Sequence, residues 1–202
     1  MVIEQRSPKP TPARAKVVAS FYLGLALVGF LWHAISQEDN DFWRAADTTV
    51  IELLWTPVLG LALGLVVVAG FRVLERWFAW LPALHREFRS ILGRPSGSEI
   101  LLLAAASSLG EEIFFRAAML DAWGPWVSSL VFALLHVPPR RDLWPWTLSA
   151  GLLGLALAWL TTATGNIGPA VVAHFVINLI NLAYITRRAP AIAVRGRTGP
   201  RP

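Results

Sequence analysis

A chain of 202 residues that is 55% hydrophobic and 15% charged, with ten tryptophans, is far more apolar than an average soluble domain and indicates an integral membrane protein. The absence of cysteine excludes disulfides, Cys-ligated zinc, iron–sulfur clusters and a cysteine nucleophile. The formal net charge of +5 is concentrated at the termini and between apolar stretches, where the positive-inside rule accounts for it. No basic face remains for a nucleic acid, so nucleic-acid binding is not expected.

Two membrane spans are predicted in the first third of the chain. Residues 1–16 form a basic arm broken by prolines, which we expect to be disordered and cytoplasmic. A first span over residues 17–35 is longer than a signal-peptide core and lacks a small-x-small exit, so we expect it to be retained. An acidic loop on the outer side follows, and a second span runs from about residue 53 to 74. Three glycines in this span favour close helix packing: Gly60, Gly64 and Gly70.

The stretch between the second and third spans interleaves arginines with aromatic and aliphatic residues. This pattern predicts an amphipathic interfacial helix on the cytoplasmic face, which Pro82 kinks or splits. The helix ends at Pro95-Ser96-Gly97-Ser98, with Ser98 as the N-cap of the next helix. Together the two spans and this helix form a unit over residues 17–95.

Four more helices are predicted over residues 96–186, followed by a disordered basic tail over residues 187–202. Their expected bounds are residues 99–122, 125–137, 145–162 and 169–186, with a turn at Gly124-Pro125 between the first two. The fold class is therefore all-α: a polytopic membrane bundle of about six transmembrane helices with both termini in the cytoplasm.

Strongly polar side chains inside these four helices mark a candidate functional site. They are Glu111, Glu112, Arg116, His136, His174, Asn178 and Asn181. An ionisable group at the centre of a membrane helix costs about 2.5–3.5 kcal/mol on insertion scales, so its presence indicates function. Glu112 and Arg116 have i, i+4 spacing and are expected to neutralise each other. Glu111 is left over, with Ser107 and Ser108 one turn back as its expected hydrogen-bond partners.

Helical rise predicts which of these groups meet. Counted from the Trp123-Gly124 turn at about 1.5 Å per residue, Glu111 and His136 lie at one height on antiparallel helices, and His174 and Asn178 fall in the same layer. Glu111 then suits a general base for water, and His136 suits holding that water or sharing its proton. His174 and Asn178 can donate hydrogen bonds to a developing oxyanion. The reaction class that this set favours is hydrolysis of an amide within or at the membrane.

Two other interpretations stay open at this point. The same histidines and carboxylates could ligate zinc with an open position, although no H-E-x-x-H pair is present. The network could also be structural, in a membrane scaffold or immunity protein without catalysis, and Asn181 is expected to serve only as an interhelical hydrogen-bond partner. His33 and His85 are interpreted as surface or headgroup contacts.

With those residues in place, the chain resembles the CPBP family of intramembrane proteases, which contains the CAAX-processing endopeptidases and their Abi-type bacterial relatives linked to bacteriocin self-immunity. The family signatures E-E-x-x-x-R, F-x-x-x-H and H-x-x-x-N stand at Glu111 to Arg116, Phe132 to His136 and His174 to Asn178. The similarity covers about residues 96–186. One departure is Ala117, where many members have glycine after the arginine.

The resemblance implies a glutamate-dependent endopeptidase without a cofactor. It implies a water-activating pair, Glu111 with His136, and an oxyanion site, His174 with Asn178. Glu112 and Arg116 would be supporting residues. The implied partners are the lipid bilayer and a protein or peptide substrate with a membrane-associated tail, either the C-terminal tail of a sorted protein or a small precursor. The expected location is the bacterial inner (plasma) membrane.

Overall fold

The computed structural model describes residues 12–37 and 40–187, with side chains from residue 15 onward. Within these ranges the chain is helical, without strands apart from an isolated bridge between Arg44 and Asn166. The elements are α1 (Pro12–Gln37), α2 (Val50–Trp55), α3 (Pro57–Leu74), α4 (Trp80–Leu92), α5 (Gly97–Glu112), a π-helical segment (Ile113–Met119), α6 (Leu120–Leu135), a 3₁₀ turn (Arg141–Leu143), α7 (Trp144–Thr164) and α8 (Gly168–Arg187). The predicted all-α class is confirmed.

Five segments of the described chain are long and apolar enough to cross a membrane. They are Ala15–Gln37, Val50–Leu74, Gly97–Leu135, Arg141–Thr164 and Gly168–Arg187. The polytopic bundle is therefore confirmed, with five candidate spans where about six were predicted.

The difference lies in the third segment, whose 39 residues would extend about 58 Å as one straight helix. Gly124 breaks it with φ 77° and ψ 172°. Ser128 Oγ then donates to the Phe115 carbonyl at 2.8 Å, so the chain reverses at the predicted turn. The returning helix, residues 125–135, rises only about 16 Å and ends inside a core that is about 30 Å thick. The residue that follows it, His136, therefore lies about as far from the Gly124 turn as Glu111 does.

Several predicted boundaries move. The first helix begins at Pro12, within the predicted arm of residues 1–16. Residues 1–11 of that arm and the predicted tail beyond Arg187 lie outside the described residues. The predicted N-cap at Ser98 is wrong. Ser96 caps α5, because its hydroxyl accepts the Glu99 N–H while the Glu99 carboxylate accepts the Ser96 N–H.

The segment after the second span forms one helix, α4, rather than a kinked or split one. Pro82 lies in its first turn, where the missing N–H has no intrahelical partner to lose. One face of α4 is buried through Leu81, Ala83 and Leu84, and the other exposes residues such as Arg86. The predicted amphipathic helix is therefore present, and its buried face packs against Leu143 of the 3₁₀ turn.

Close helix packing holds α3 against α8. A Cβ at Gly60 would overlap the Pro169 carbonyl, and one at Gly64 would lie 2.9 Å from the Ala173 carbonyl oxygen, so α3 sits directly on α8. Gly70 has open space around it and does not serve the predicted packing role.

Helix α1 covers the opposite side of the bundle. A Cβ at Gly110 would lie 2.6 Å from the Tyr22 carbonyl oxygen, so α1 packs directly on α5 just before the two glutamates. The apolar core next to the glutamates consists of Phe115, Met119, Phe132 and Ala150, contributed by the π-helical segment, α6 and α7.

Candidate active site

The two adjacent glutamates occupy the last two positions of α5, where the helix passes into the π-helical segment. Glu111 is 7% exposed and Glu112 is fully buried. Wide π-type turns are rare and occur frequently at functional sites. Two side chains from other helices donate to carbonyls of this segment: Ser128 to Phe115, and His33 Nδ1 to Ala117 at 2.7 Å. Neighbouring helices thus hold the backbone that follows the glutamates.

Glu111 faces two imidazoles. Its Oε2 atom lies 3.9 Å from His136 Nε2 and 3.8 Å from His174 Nε2. Both separations are too long for a direct hydrogen bond, and no described residue hydrogen-bonds this buried oxygen. A gap of this size between polar atoms is one that a single bridging water spans. The expectation that Glu111 and His136 meet is confirmed, and His174 joins them.

The local structure orients His136. Its Nδ1 contacts the Phe132 carbonyl at 2.7 Å, and because a carbonyl only accepts, Nδ1 carries the proton. With Nδ1 engaged by this carbonyl, the other ring nitrogen, Nε2, is directed toward Glu111. The ring lies between the aromatic rings of Phe132 and Trp146, with centroid distances of 4.4 and 5.4 Å. Its side chain keeps 22% exposure.

A buried ion network supports the second histidine. Glu112 Oε1 accepts from His174 Nδ1 at 2.6 Å, and Glu112 Oε2 pairs with Arg116 Nε at 3.1 Å. The guanidinium also lies 4.7 Å from the centroid of the Phe132 ring. The predicted pairing of Glu112 with Arg116 is confirmed. The additional bond from Glu112 to His174 was not predicted, because helical heights do not show which carboxylate faces which ring nitrogen.

Asn178 lies one turn beyond His174 on α8. Its Nδ2 donates to Ser107 Oγ at 2.9 Å, and Ser107 in turn donates to the Leu103 carbonyl at 2.8 Å. Ser108 donates to the Ala105 carbonyl. The expectation that these serines bond to Glu111 is therefore wrong, since their hydroxyls bond back to their own helix, as serines in helices commonly do.

Asn181, the third polar residue of the α8 stripe, lies outside this cluster. Its Oδ1 accepts from Arg72 Nη2 at 2.7 Å and joins α8 to α3. This agrees with its expected role as an interhelical hydrogen-bond partner.

Helix α1 contributes two residues that the sequence interpretation did not include. The Tyr22 hydroxyl interacts with the Glu111 carboxylate. A tyrosine in the middle of a span, rather than at its interfacial ends, was the signal available for it. His33 is 7% exposed and lies 3.6 Å from Asp121, so its interpretation as a surface contact is wrong. The His85 side chain is also partly covered: it is 17% exposed, and its Nδ1 lies 3.6 Å from Glu75 Oε1.

The arrangement does not fit a zinc site. The described residues contain no group of three or more His, Asp or Glu side chains placed to hold a metal ion. Two ligands of one tetrahedral zinc at about 2.0–2.1 Å lie about 3.4 Å apart, whereas Glu111 is 3.8 and 3.9 Å from the two imidazoles.

Comparison with known proteins agrees with the position of this cluster. The family model of the Rce1-like proteins, described as type II CAAX prenyl endopeptidases, matches residues 96–180, from the cap of α5 into α8. The protein named uncharacterized protein YpbD of Bacillus subtilis (strain 168) is 26% identical over 153 residues, which are 71% of this chain and 75% of that protein. No solved structure matches the chain significantly.

Proposed function

We propose that the chain, whose residues 96–180 match the Rce1-like family model, is a CPBP-type intramembrane endopeptidase with Glu111 as its general base. The observation that carries this proposal is the position of Glu111 Oε2, buried and about equally distant from Nε2 of His136 and of His174. A buried carboxylate oxygen that lies one water molecule away from each of two imidazole nitrogens provides a site for water activation.

The first step is attack by water. Glu111 Oε2 and His136 Nε2 both accept hydrogen bonds, so a water between them donates both of its hydrogens and directs its lone pairs away from them. Glu111 takes one proton as the water oxygen bonds to the carbonyl carbon of the scissile amide. The carbonyl π electrons move to its oxygen and form a tetrahedral oxyanion. A base held within one water of the reacting centre contributes about 10²–10⁴-fold to the rate.

The second requirement is a donor set for the oxyanion. The Asn178 carboxamide has two N–H donors, and its bond to Ser107 uses one. His174 donates through Nδ1 to Glu112, so its Nε2 donates to the oxyanion only when the ring is doubly protonated. The neighbouring charges suit that form, because two carboxylates and one guanidinium leave one negative charge that an imidazolium balances.

Collapse of the intermediate completes the reaction. The C–N bond breaks, its electron pair stays on nitrogen, and the proton held by Glu111 passes to the leaving amine. The oxyanion electrons re-form the C=O bond as the C–N bond breaks, so the products are one carboxylic acid, which then ionises, and one amine, and Glu111 returns to its ionised form. Glu112 and Arg116 act as supporting residues, since they hold His174 and touch no reacting atom.

We propose as substrate a membrane-associated C-terminal tail or a small membrane-bound precursor. Glu111 lies about 18 Å along the helix from Trp123 and about 21 Å from Gly97, well inside the third segment. A peptide must therefore enter the bilayer to reach it, which favours segments already tethered to lipid. The positive-inside rule places both termini in the cytoplasm, and the proposed location is a bacterial inner membrane.

The test compares cells that contain the wild-type protein, the Glu111→Gln variant or no protein. Mapping the C-terminal peptides of all membrane and secreted proteins should show at least one terminus that requires the wild type and is absent with Glu111→Gln. Glutamine keeps the size and hydrogen bonding of the side chain but removes the base. The matched control is Glu87→Gln on α4, whose pairing with Arg140 at 3.6 Å lies on the surface and should not affect processing.

The outcome separates catalysis from a structural network. If Glu111→Gln reaches the membrane, unfolds at the wild-type temperature and still produces every processed terminus, the protein is not a Glu111-dependent protease. The non-catalytic scaffold is then the remaining interpretation.

A further inference from the structure

A second polar region lies at the arginine-rich end of α3, away from the glutamates. A cavity of about 420 Å³ is present there, lined by Arg72, Glu75, Arg76, Pro82 and Tyr184. Its wall comes from the end of α3 with the turn that follows it, the first turn of α4, and α8. The proposed catalytic chemistry uses none of these residues.

Arg72 is held in place at the cavity wall. Its Nη2 donates to Asn181 Oδ1 at 2.7 Å, and its guanidinium carbon lies 3.5 Å from the centroid of the Tyr184 ring. Arg72 Nη1 lies 3.9 Å from Glu75 Oε2, and the Arg72 side chain remains 23% exposed. A guanidinium that is already oriented loses little conformational freedom when it binds an anion.

The lining has a positive balance. Among the described residues that line the cavity, Glu75 is the only acidic one. Glu75 Oε2 accepts a hydrogen bond from the Tyr184 hydroxyl at 2.8 Å. His85 Nδ1 lies 3.6 Å from the other carboxylate oxygen. Arg76 is exposed and adds a second guanidinium. Two guanidinium groups and one carboxylate, which its neighbours already engage, therefore line the cavity.

Side chains typical of a membrane interface lie beside the cavity. Trp77 and Phe78, the next residues in the chain, expose 70% and 48% of their surface, which is typical of side chains at a membrane interface. The amphipathic helix α4 begins beside them. The arginines at this end of the bundle place it on the cytoplasmic side, where the leaflet carries anionic lipids.

We propose that this cavity binds the phosphate group of an anionic phospholipid headgroup, with Arg72 and Arg76 as the ligands. Guanidinium groups bind phosphate oxygens through paired, charge-assisted hydrogen bonds. Basic pockets between transmembrane helices on the cytoplasmic side are established sites for such headgroups. The bound lipid would bridge α3, α4 and α8, because each of them contributes to the lining.

The experiment uses the full chain in nanodiscs of phosphatidylcholine with a minor fraction of phosphatidylglycerol. Native mass spectrometry measures how much phosphatidylglycerol stays bound to the released protein. Arg76→Gln should weaken this retention about tenfold, the effect of losing one hydrogen bond to a charged group. Arg94→Gln removes an equally exposed arginine beyond α4 and should retain phosphatidylglycerol as the wild type does. Equal unfolding temperatures of the two variants show that the fold is unchanged.

Three results would overturn the proposal. Equal losses in the two variants would mean general attraction to surface charge, and no preferential retention by the wild type would mean that there is no site. In a detergent arm without lipid, inorganic phosphate is added to the same three proteins. Stabilisation by inorganic phosphate that Arg76→Gln abolishes, without retention of phosphatidylglycerol, would identify soluble phosphate as the ligand and reject the lipid.

Discussion

Glu112→Gln offers a direct test of the buried ion network. Glutamine keeps an oxygen that can accept from His174 Nδ1, but it removes the negative charge that now lies 3.1 Å from Arg116 Nε. Arg116 is 1% exposed and cannot turn to water, so its charge stays buried without its carboxylate partner. Loss of one member of a buried pair typically costs about 3–5 kcal/mol.

That cost corresponds to a fall of roughly 6–20 °C in the thermal midpoint, at about 2–4 °C per kcal/mol for a chain of this size. A second substitution, Arg116→Met, should reverse most of the loss when combined with Glu112→Gln, because a neutral side chain of similar length replaces the stranded charge. Each single variant should thus be less stable than the double variant.

The assay is thermal unfolding of the four proteins of this double-mutant cycle in one detergent, followed by tryptophan fluorescence. The expected coupling energy is at least about 3 kcal/mol in favour of the double variant, because it must exceed the loss in Glu112→Gln alone when Arg116→Met is less stable than the double variant. Additive losses, with the double variant the least stable of the four, would show that Glu112 and Arg116 do not neutralise each other and would refute the reasoning.

Three further predictions follow from the packing and the site. Gly110→Ala should lower the free energy of unfolding by about 1–3 kcal/mol, because its Cβ would lie 2.6 Å from the Tyr22 carbonyl oxygen. Gly70→Ala is the control, since Gly70 has open space around it and its substitution should not destabilise the protein. Equal effects of the two substitutions in thermal unfolding would contradict the packing of α1 on α5. His33→Ala should cost about 1–3 kcal/mol, since the buried Ala117 carbonyl loses its donor, and an unchanged midpoint would show that this bond contributes nothing. Purified enzyme should keep its peptidase activity after treatment with a strong chelator, and loss of activity that zinc restores would reject the metal-free mechanism.

The candidate site was largely predictable because helices have a fixed rise and a fixed angular repeat. The pairing of Glu112 with Arg116 follows from i, i+4 spacing, and the meeting of Glu111 with His136 follows from counting back from the Gly124 turn. The turn itself was visible as Gly-Pro, which cannot continue a helix unbroken.

Contacts between helices were not predictable in this way. His33 ends a span beside a tryptophan, a pattern typical of an interface, yet it is buried. It packs against the π-helical segment, where the Ala117 carbonyl accepts a hydrogen bond from its Nδ1. The serines before the glutamates looked like partners for Glu111, but rotation about the helix axis directs their hydroxyls to backbone carbonyls of the preceding turn. Such choices depend on the rotation of one helix against another, which no local spacing encodes.

Composition, charge placement and the spacing of polar residues therefore specify an all-α membrane bundle and predict one layer for Glu111, His136, His174 and Asn178, because these properties depend on hydrophobic length and helical repeat alone. The tertiary structure resolves the remaining questions. It shows that Glu112, not Glu111, bonds to His174 Nδ1 and so leaves Glu111 Oε2 facing two Nε2 atoms. These distances depend on how far apart the helix axes lie, and side-chain packing between distant parts of the chain sets that separation.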